Sequence, residues 1–479
     1  MKDRQRQVVW SWLKTIAQRA FMPVDIASIV FFRIVFGTLV LWHVWKYFAG
    51  GAVAALWIEP RFLFKYYGFS WVHPWPSQML HAHWLAIGVL AFFVAIGFCY
   101  RASTVLLWVS YTYFLLLDEA RFVNHTYLIC LFSFLLIFVP AHRALSIDAW
   151  FRPNIRAQTI PFWCLWLLRF QIAVVYFFAG VAKIAPDWLR GEPMRFRFRA
   201  QSAFPIIGRF LHEDWAVYAA SYGSLLLDLF VVPLLIWRRT RVAAFCLALL
   251  FHLMNARLFP IGIFPWLVIA ATTLYFSPDW PRRLIALVRW RKEHVDLAGM
   301  RESTPQSNRA LVLTLVGLYA AIQILLPLRH LLTPGGLEWN QAEHRFSWRM
   351  MLVHQATRSF FYVTDPNTGR TTQVGLGQFL NARQRSMMAS LPDFSIQFAH
   401  YLATIMPRNG PLPLRVEARI LTAINGRKPQ LYLDPNVDLA AGPRPLLRPR
   451  WLREVHEPLP PPDQRYRELP LETNDRPEN

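Results

Sequence analysis

The sequence has few cysteines and lacks the common catalytic and metal-binding motifs. Its four cysteines, Cys99, Cys130, Cys164 and Cys246, lie in apolar stretches, without a CxxC partner or metal-ligand spacing. They are expected to be free buried thiols and give no basis for a disulfide framework. The patterns HxxxH, HExxH, GxSxG and the P-loop are absent, so metal, serine-hydrolase and nucleotide chemistry have no support.

Charged residues are scarce, and acidic residues are the scarcer kind. Only 17% of the 479 residues are charged, and 51 lysines and arginines against 29 acidic residues give a formal net charge of +22. A nucleic-acid-binding protein would cluster its basic residues on a soluble fold. Here they fall mostly between hydrophobic runs and in the C-terminal tail. With 55% hydrophobic residues, the composition indicates a polytopic membrane protein with no nucleic-acid partner.

Apolar runs predict about nine transmembrane helices after a basic cytoplasmic segment, residues 1–25. The predicted helices cover residues 26–49, 82–99, 102–117, 125–140, 161–183, 217–237, 242–257, 261–276 and 309–327. The break at Phe259-Pro260-Ile261-Gly262 decides between eight and nine helices. With the N-terminus inside, most basic clusters fall in inner loops, as the positive-inside rule requires. The outer loop 184–216 is also basic, and we expect it to meet an anionic partner.

The chain changes character after the transmembrane region, residues 26–328. Strand-like runs flank a turn at residues 365–369 and the hairpin signal Asn425-Gly426, and a helical stretch lies between them at 379–406. We predict an extracytoplasmic α+β module over residues 329–440 and a disordered Pro/Arg-rich tail over 441–479. The expected fold is a mainly α-helical polytopic membrane protein with a small C-terminal extramembrane α+β module.

Polar residues gather at one end of the predicted helical bundle. The start of the fourth helix and the ends of the fifth and seventh all lie on the outer side. The polar residues at these helix ends are Asn124, His125, Lys183, His252 and Asn255, and Arg199 lies in the adjoining outer loop. His252 and Asn255 are three residues apart and therefore share a helical face. The pattern brings two amides, two imidazoles, a lysine and an arginine to one membrane face.

Each of these residues also has a structural interpretation. A histidine such as His125 at a helix start often satisfies a polar contact, and a lysine such as Lys183 at a helix end often extends to the membrane surface. The polar pair of the seventh helix could bridge helices. Asp118 and Asp228 are expected to pair with arginines or to cap helices.

Six segments, in the same order along the chain, resemble the vitamin K-dependent gamma-carboxylase family, which includes bacterial members of the HTTM (horizontally transferred transmembrane) group. They are PVDIASIVFFRIVFG (23–37), FVNHTYLICLFSFLLIFVPAHRALSID (122–148), VYFFAGVAKIAPDW (175–188), FHLMNARLFPIGIFPW (251–266), HRFSWRMML (344–352) and LYLDPNVDLA (431–440). The resemblance extends from about residue 20 to residue 440.

The resemblance implies an enzyme of the bacterial inner membrane that couples two reactions. Reduced vitamin K or menaquinol is oxygenated by O2 to an epoxide, and a protein glutamate loses a γ-proton and gains CO2. The resemblance assigns catalysis to Lys183, as the base, and to His125. It assigns the quinol pocket to Asn124, Tyr176, His252 and Asn255, and substrate binding to Arg199. It implies no metal.

The sequence departs from the animal enzymes in two ways. Ala182 precedes Lys183 where they carry paired lysines, and the extramembrane region is much shorter, so a propeptide-binding part is expected to be missing. Three alternatives therefore remain: quinol epoxidation without carboxylation, a membrane transporter or lipid-handling protein, and a membrane scaffold.

For catalysis, a low-dielectric site among residues such as Phe177 and Phe178 would favour a neutral amine at Lys183.

Overall fold

The computed structural model of the protein describes residues 15, 17–201, 203–205, 207–289, 308–332, 341–388, 390–444, 449–454 and 457–465. A helical domain is followed by a smaller α+β module. The helices are α1 (Ala27–Ala49), α2 (Ala52–Trp57), α3 (Ser77–Ile96), α4 (Tyr100–Leu117), α5 (Asn124–Phe138), α6 (Ile147–Phe151), α7 (Phe162–Ala182), α8 (Pro186–Leu189), α9 (Met194–Arg199), α10 (Asp214–Ile236), α11 (Arg241–Leu258), α12 (Phe264–Thr272), α13 (Trp280–Arg289), α14 (Arg309–Leu328), α15 (Ala382–Ser386) and α16 (Pro392–Ile405). The strands are β1 (Pro23–Asp25), β2 (Thr159–Pro161), β3 (Gln355–Asp365), β4 (Arg370–Gln373), β5 (Arg415–Ile424) and β6 (Gln430–Leu431).

The apolar helices establish an integral membrane protein. Within the described residues, α1, α3, α7, α10, α11 and the segment Arg309–Leu331 are the six that are long and apolar enough to cross a bilayer. The other three predicted runs also form helices, namely α4, α5 and α12. The mainly helical fold with a small C-terminal module is therefore confirmed.

The break between α11 and α12 is a true helix boundary. Pro260 lacks an N–H and cannot continue the helix that ends at Leu258. Gly262 follows with a φ of 62°, a left-handed conformation that favours glycine. Phe264 then begins α12. The sequence break therefore separates two helices and directs a short loop between them into the bundle.

The basic N-terminal segment lies largely outside the described residues. Its last part, β1, pairs in antiparallel fashion with β2, so that Val24 opposes Ile160. Arg282 extends from α13 and forms an ion pair of 3.0 Å with Asp25. The strand pair fixes the start of α1 beside the start of α7.

Helix α7 is the central helix for the candidate site. Along one side it buries residues such as Leu168, Ile172 and Val175 in the main core. Toward its end it packs closely on α10, because a Cβ on Gly180 would lie 2.7 Å from a side-chain carbon of Leu229. This close approach brings the last turn of α7 next to the middle of α10.

The C-terminal module is a four-stranded antiparallel sheet, in the order β4-β3-β5-β6, with α15 and α16 beside it. In its central pair, Phe361 opposes Ala418. Phe361 is buried with Phe398 of α16 and Ile420 of β5 in the core of the module. The two strand pairs and the intervening helical stretch predicted from turn signals are all present.

The prediction of a disordered tail over 441–479 is wrong for the part that the structure describes. Leu452 forms a bridge with Leu433 and is 5% exposed. Arg444 donates to Asp393 at 2.8 Å. The basic composition suggested solvation, but these side chains find apolar and acidic partners on the module. Residues 445–448, 455–456 and 466–479 lie outside the described residues.

Candidate functional site

A cavity of about 980 Å³ lies between the helical domain and the C-terminal module. Helices α5, α7, α10 and α11 and the loop before α12 form its walls in the helical domain. The segment before β3 and α15 close it from the side of the module. Six of the seven site residues predicted from the sequence line this cavity: Asn124, His125, Tyr176, Lys183, His252 and Asn255.

Arg199 is the seventh of these residues. It is the last residue of α9 and is not among the residues that line the cavity. Arg197, two residues earlier, is at the cavity wall. The basic composition of residues 184–216 does not distinguish between these arginines, whereas the short helix α9 gives them different directions.

Lys183 follows the last residue of α7, where Pro186 soon begins the next helix. Its amine does not extend to the membrane surface but forms an ion pair with Asp228 of α10. The two side chains are 8% and 6% exposed. The amine also lies 5.4 Å from the centre of the Trp188 ring. Asp228 was expected to meet an arginine or cap a helix, and the structure instead pairs it with this lysine.

A second polar contact joins α7 to α11 on the same cavity wall. The Tyr176 hydroxyl and Nε2 of His252 lie 2.8 Å apart. The other ring nitrogen of His252, Nδ1, is buried and has no hydrogen-bond partner in the described structure. The helix-bridging interpretation of His252 thus holds for one of its nitrogens, and the other remains available.

His125 sits in the first turn of α5, and Gly262 determines the space beside its ring. A Cβ on Gly262 would lie 3.1 Å from Cε1 of His125, so only glycine fits there without displacement. On its other side, the His125 ring centre is 5.6 Å from that of His43. Nε2 of His125 and Oδ1 of Asn124 are both buried and lack partners in the described part of the protein.

The extramembrane end of the cavity is cationic. The arginines that line it are Arg197, Arg345, Arg349 and Arg383. Arg383 donates to the backbone carbonyl of Ala120 at 3.1 Å, and Arg345 forms an ion pair of 3.3 Å with Glu119. Burial lowers the pKa of Arg197 to about 10, which leaves it positively charged near neutrality. Four guanidinium groups therefore surround a space that can accept an anion.

The opposite end is apolar and reaches the outer surface of the helical domain. Small residues of α10, such as Ala220 and Gly223, line it together with Leu226, Phe230 and Leu250. The last three are also 53%, 54% and 57% exposed. Because these exposed side chains belong to helices of membrane-spanning length, this wall faces lipid, and the cavity can hold an elongated apolar molecule.

The C-terminal module supplies part of the site that sequence reasoning missed. Met350, Met351, Met387 and Ser390 line the cavity in addition to the arginines. The segment HRFSWRMML (344–352) carries part of the family resemblance, but its sequence alone does not predict that it contributes residues to the site. Among the described residues, no group of three histidine, cysteine or acidic side chains is arranged to hold a metal ion.

Comparison with known families gives two matches that together cover most of the chain. The family described as HTTM domain matches residues 21–280. The family described as vitamin K-dependent gamma-carboxylase, lumenal domain, matches residues 308–457. No solved structure matches the chain.

Proposed function

The chain belongs to the vitamin K-dependent gamma-carboxylase family of HTTM-domain proteins, and on that premise we propose that it uses a reduced naphthoquinone, such as menaquinol, with O2 and CO2 to carboxylate glutamate side chains of a protein substrate. The observation that carries the proposal is one cavity whose lining combines lipid-facing apolar side chains, four arginines, and both Lys183 and His125.

The residues present fit a ligand with an apolar body and polar oxygens. Three buried polar atoms on the cavity lining lack partners in the described structure: Oδ1 of Asn124, Nε2 of His125 and Nδ1 of His252. Buried polar groups are normally hydrogen-bonded, so such a cluster points to an absent ligand or water. The long apolar end next to them suits an isoprenoid tail.

The bound quinol would supply the reducing equivalents and the driving force for proton removal from glutamate. Oδ1 of Asn124 would accept a hydrogen bond from a ligand hydroxyl. Nε2 of His125 would donate to a ligand oxygen as negative charge develops on it, in the manner of an oxyanion hole. Lys183 would accept the hydroxyl proton in its neutral amine form. The contact between Tyr176 and His252 would hold that wall of the cavity in a fixed geometry.

The arginine-lined end would bind the acidic substrate. A guanidinium offers paired N–H donors that match a carboxylate, and a charge-assisted hydrogen bond of this kind is stronger than a neutral one. Arg197 and Arg349 would hold the γ-carboxylate of glutamate and, with their neighbours, stabilise the second carboxylate of the product. This proposal replaces Arg199 with Arg197 as the substrate-binding residue.

We also infer the orientation in the bacterial inner membrane, with the N-terminus cytoplasmic and the module from residue 329 extracytoplasmic. The basic loops of the sequence support it through the positive-inside rule. A reporter that works only in the periplasm should be active when it is fused after residue 440. A reporter that works only in the cytoplasm should be silent at the same position. The reverse result would rule out this orientation and place the site at the opposite membrane face.

The test of function uses the purified full-length protein with menaquinol, O2, isotopic bicarbonate and short glutamate-containing peptides. We expect quinol-dependent O2 uptake, quinone epoxide, and a peptide mass gain of one CO2. O2 uptake and epoxide without the mass gain on peptides or on extracytoplasmic proteins would favour the epoxidase alternative. No quinol-dependent O2 uptake with any naphthoquinol would refute both.

A further inference from the structure

Asp228 is a buried acidic residue to which the proposed function gives no role. It lies in the middle of α10, lines the cavity, and faces the end of α7. Within the described structure, Lys183 is the side chain that pairs with its carboxylate. A base must have a free lone pair, so Lys183 cannot act as a base while its amine carries the extra proton. The ion pair of ammonium and carboxylate is therefore not the reactive form.

The surroundings of this pair make its charges sensitive to water. Both side chains are more than nine-tenths buried. Beyond the carboxylate, the contacts of the Lys183 amine within the described part of the chain are the Ala179 carbonyl at 3.4 Å and the face of the Trp188 ring at 5.4 Å. The described residues provide no backbone N–H donor to the Asp228 carboxylate. The space in the cavity next to the pair is therefore its remaining source of solvation.

Filling that space with an apolar molecule would change the balance between two forms of the pair. The ionic form loses the solvation of two charges, whereas the neutral form, an amine and a carboxylic acid, keeps one hydrogen bond and loses little. Opposite charges attract more strongly in a dry site, but this gain often fails to repay the desolvation of both ions. An apolar ligand should therefore shift the proton from the Lys183 amine to the Asp228 carboxylate.

Asp187 provides a contrast within the same segment of the chain. It is also buried, but its partner is Arg427, whose Nη2 lies 2.9 Å from Oδ1 of Asp187. Asn425 donates to the same carboxylate at 2.8 Å. Arginine does not give up its proton in proteins, so this pair stays ionic whatever fills the cavity. Of these two buried pairs, only that of Lys183 and Asp228 can interconvert.

We propose that Asp228 is the proton store that converts Lys183 into a base when an apolar ligand fills the cavity. The proton moves from Nζ of Lys183 to the Asp228 carboxylate, and the pair stays neutral overall. Rotation of the amine then turns its lone pair toward the cavity, where it can take a proton from a bound hydroxyl, while one of its N–H groups donates to the carbonyl oxygen of the Asp228 acid. Asp228 acts through Lys183 and is thus a positioning residue. The inference rests on the proposed function, because it assumes that an apolar naphthoquinone occupies this cavity.

The test follows the protonation of Asp228 by infrared difference spectroscopy, with the full-length protein in an ester-free detergent. The probe is menadione, an oxidised naphthoquinone that carries no proton to give. Its binding is measured separately by quenching of tryptophan fluorescence. We expect menadione to produce the C=O stretching band of a protonated carboxylic acid in the wild-type protein, and we expect this band to be absent in Asp228→Asn.

Two variants serve as controls. In Lys183→Met the carboxylate has lost its counter-ion, so the acid band should be present before menadione is added. In Asp393→Asn the menadione-induced band should persist, since Asp393 pairs with Arg444 and does not line the cavity. Menadione binding without a band that depends on Asp228 would overturn the inference and leave the proposed function standing. A band that is already complete in the free wild-type protein would overturn the ligand dependence. Failure of menadione to bind would count against the proposed function, and the inference would fall with it.

Discussion

Arg427 holds Asp187 through two nitrogens, at 2.5 Å to Oδ2 and 2.9 Å to Oδ1. Asp187 lies four residues after Lys183, and Arg427 follows β5 in the C-terminal module. The pair therefore connects the end of α7, which carries the proposed base, to the sheet of the module. This connection keeps the two walls of the cavity together.

Breaking this pair from one side should destabilise the protein. Asp187→Asn removes the buried carboxylate that neutralises the largely buried Arg427 guanidinium, and removing one partner of such a pair costs about 3–5 kcal/mol. We expect a clear fall in melting temperature and, because Lys183 is displaced, a lower rate of quinol oxidation. Asp463→Asn, at an exposed position, should change neither the melting temperature nor the rate of quinol oxidation. If the double variant Asp187→Asn with Arg427→Gln is no more stable than Asp187→Asn alone, the two residues do not act as a pair.

Local patterns in the sequence predicted the elements well, and long-range packing explains what they missed. Hydrophobic runs located the helices, and Asn425-Gly426 located the hairpin because its turn requires left-handed residues. The partner of Lys183 was not predictable, since Asp228 is 45 positions away and meets it only through the close packing at Gly180. The choice of Arg197 over Arg199 likewise depends on how α9 sits against the cavity.

Gly262 should control the position of His125. Gly262→Ala adds a Cβ 3.1 Å from Cε1 of His125 and must displace the ring by a few tenths of an ångström. A displacement of 1 Å can cost about 10²-fold in rate, so we expect a loss of about 10-fold in quinol oxidation. Gly369→Ala is the matched control, because Gly369 also has a positive φ of 71° but open space around it. Equal losses of activity in the two variants would mean that backbone strain, not contact with His125, is responsible.

Arg197 and Arg199 offer a comparison within one helix. Arg197→Gln should raise the KM for a glutamate peptide roughly 10- to 100-fold, because a hydrogen bond to a charged group is worth about 1.5–3 kcal/mol. The KM for quinol should change little. Arg199→Gln should leave both constants near the wild-type values, since Arg199 is not at the cavity wall. A raised KM for the peptide in Arg199→Gln but not in Arg197→Gln would instead support Arg199 as the substrate-binding residue, as the sequence predicts.

Glu119 should make the stability of the protein depend on pH. Burial raises its pKa to about 7, despite the opposing effect of Arg345. A carboxyl with a raised pKa in the folded state binds its proton more tightly there than in the unfolded chain. Its contribution to stability is therefore complete below its ordinary pKa of about 4.3 and is lost as pH rises through about 7.

Melting temperatures measured between these pH values test this sign. Glu119→Gln carries no titratable group, so its melting temperature should fall less steeply with rising pH than that of the wild-type protein. Asp118, whose pKa burial raises to about 6, remains in both proteins and contributes equally to each curve. Parallel curves for the two proteins would show that Glu119 ionises in the folded state much as it does in the unfolded chain.

Lys183 is where the catalytic and the structural interpretations differ most. As a base it must present a neutral amine to the bound hydroxyl, so Lys183→Ala should abolish epoxide formation while quinone binding persists. A small exogenous amine is expected to restore part of the activity to the alanine variant. His125→Ala should lower the rate on the order of 10²–10³-fold by the loss of one donor to the developing negative charge.

Lys183→Arg separates the two interpretations most sharply. Arginine can still form an ion pair with Asp228, so a structural role predicts a stable protein with near-normal turnover. A base role predicts a stable protein without epoxidation, because the guanidinium keeps its proton. Lys46→Arg, at an exposed position near the end of α1, should retain full activity and controls for lysine replacement in general. Quinol epoxidation by a well-folded Lys183→Arg preparation is thus the decisive measurement, and near-normal turnover would reduce Lys183 to a structural partner of Asp228.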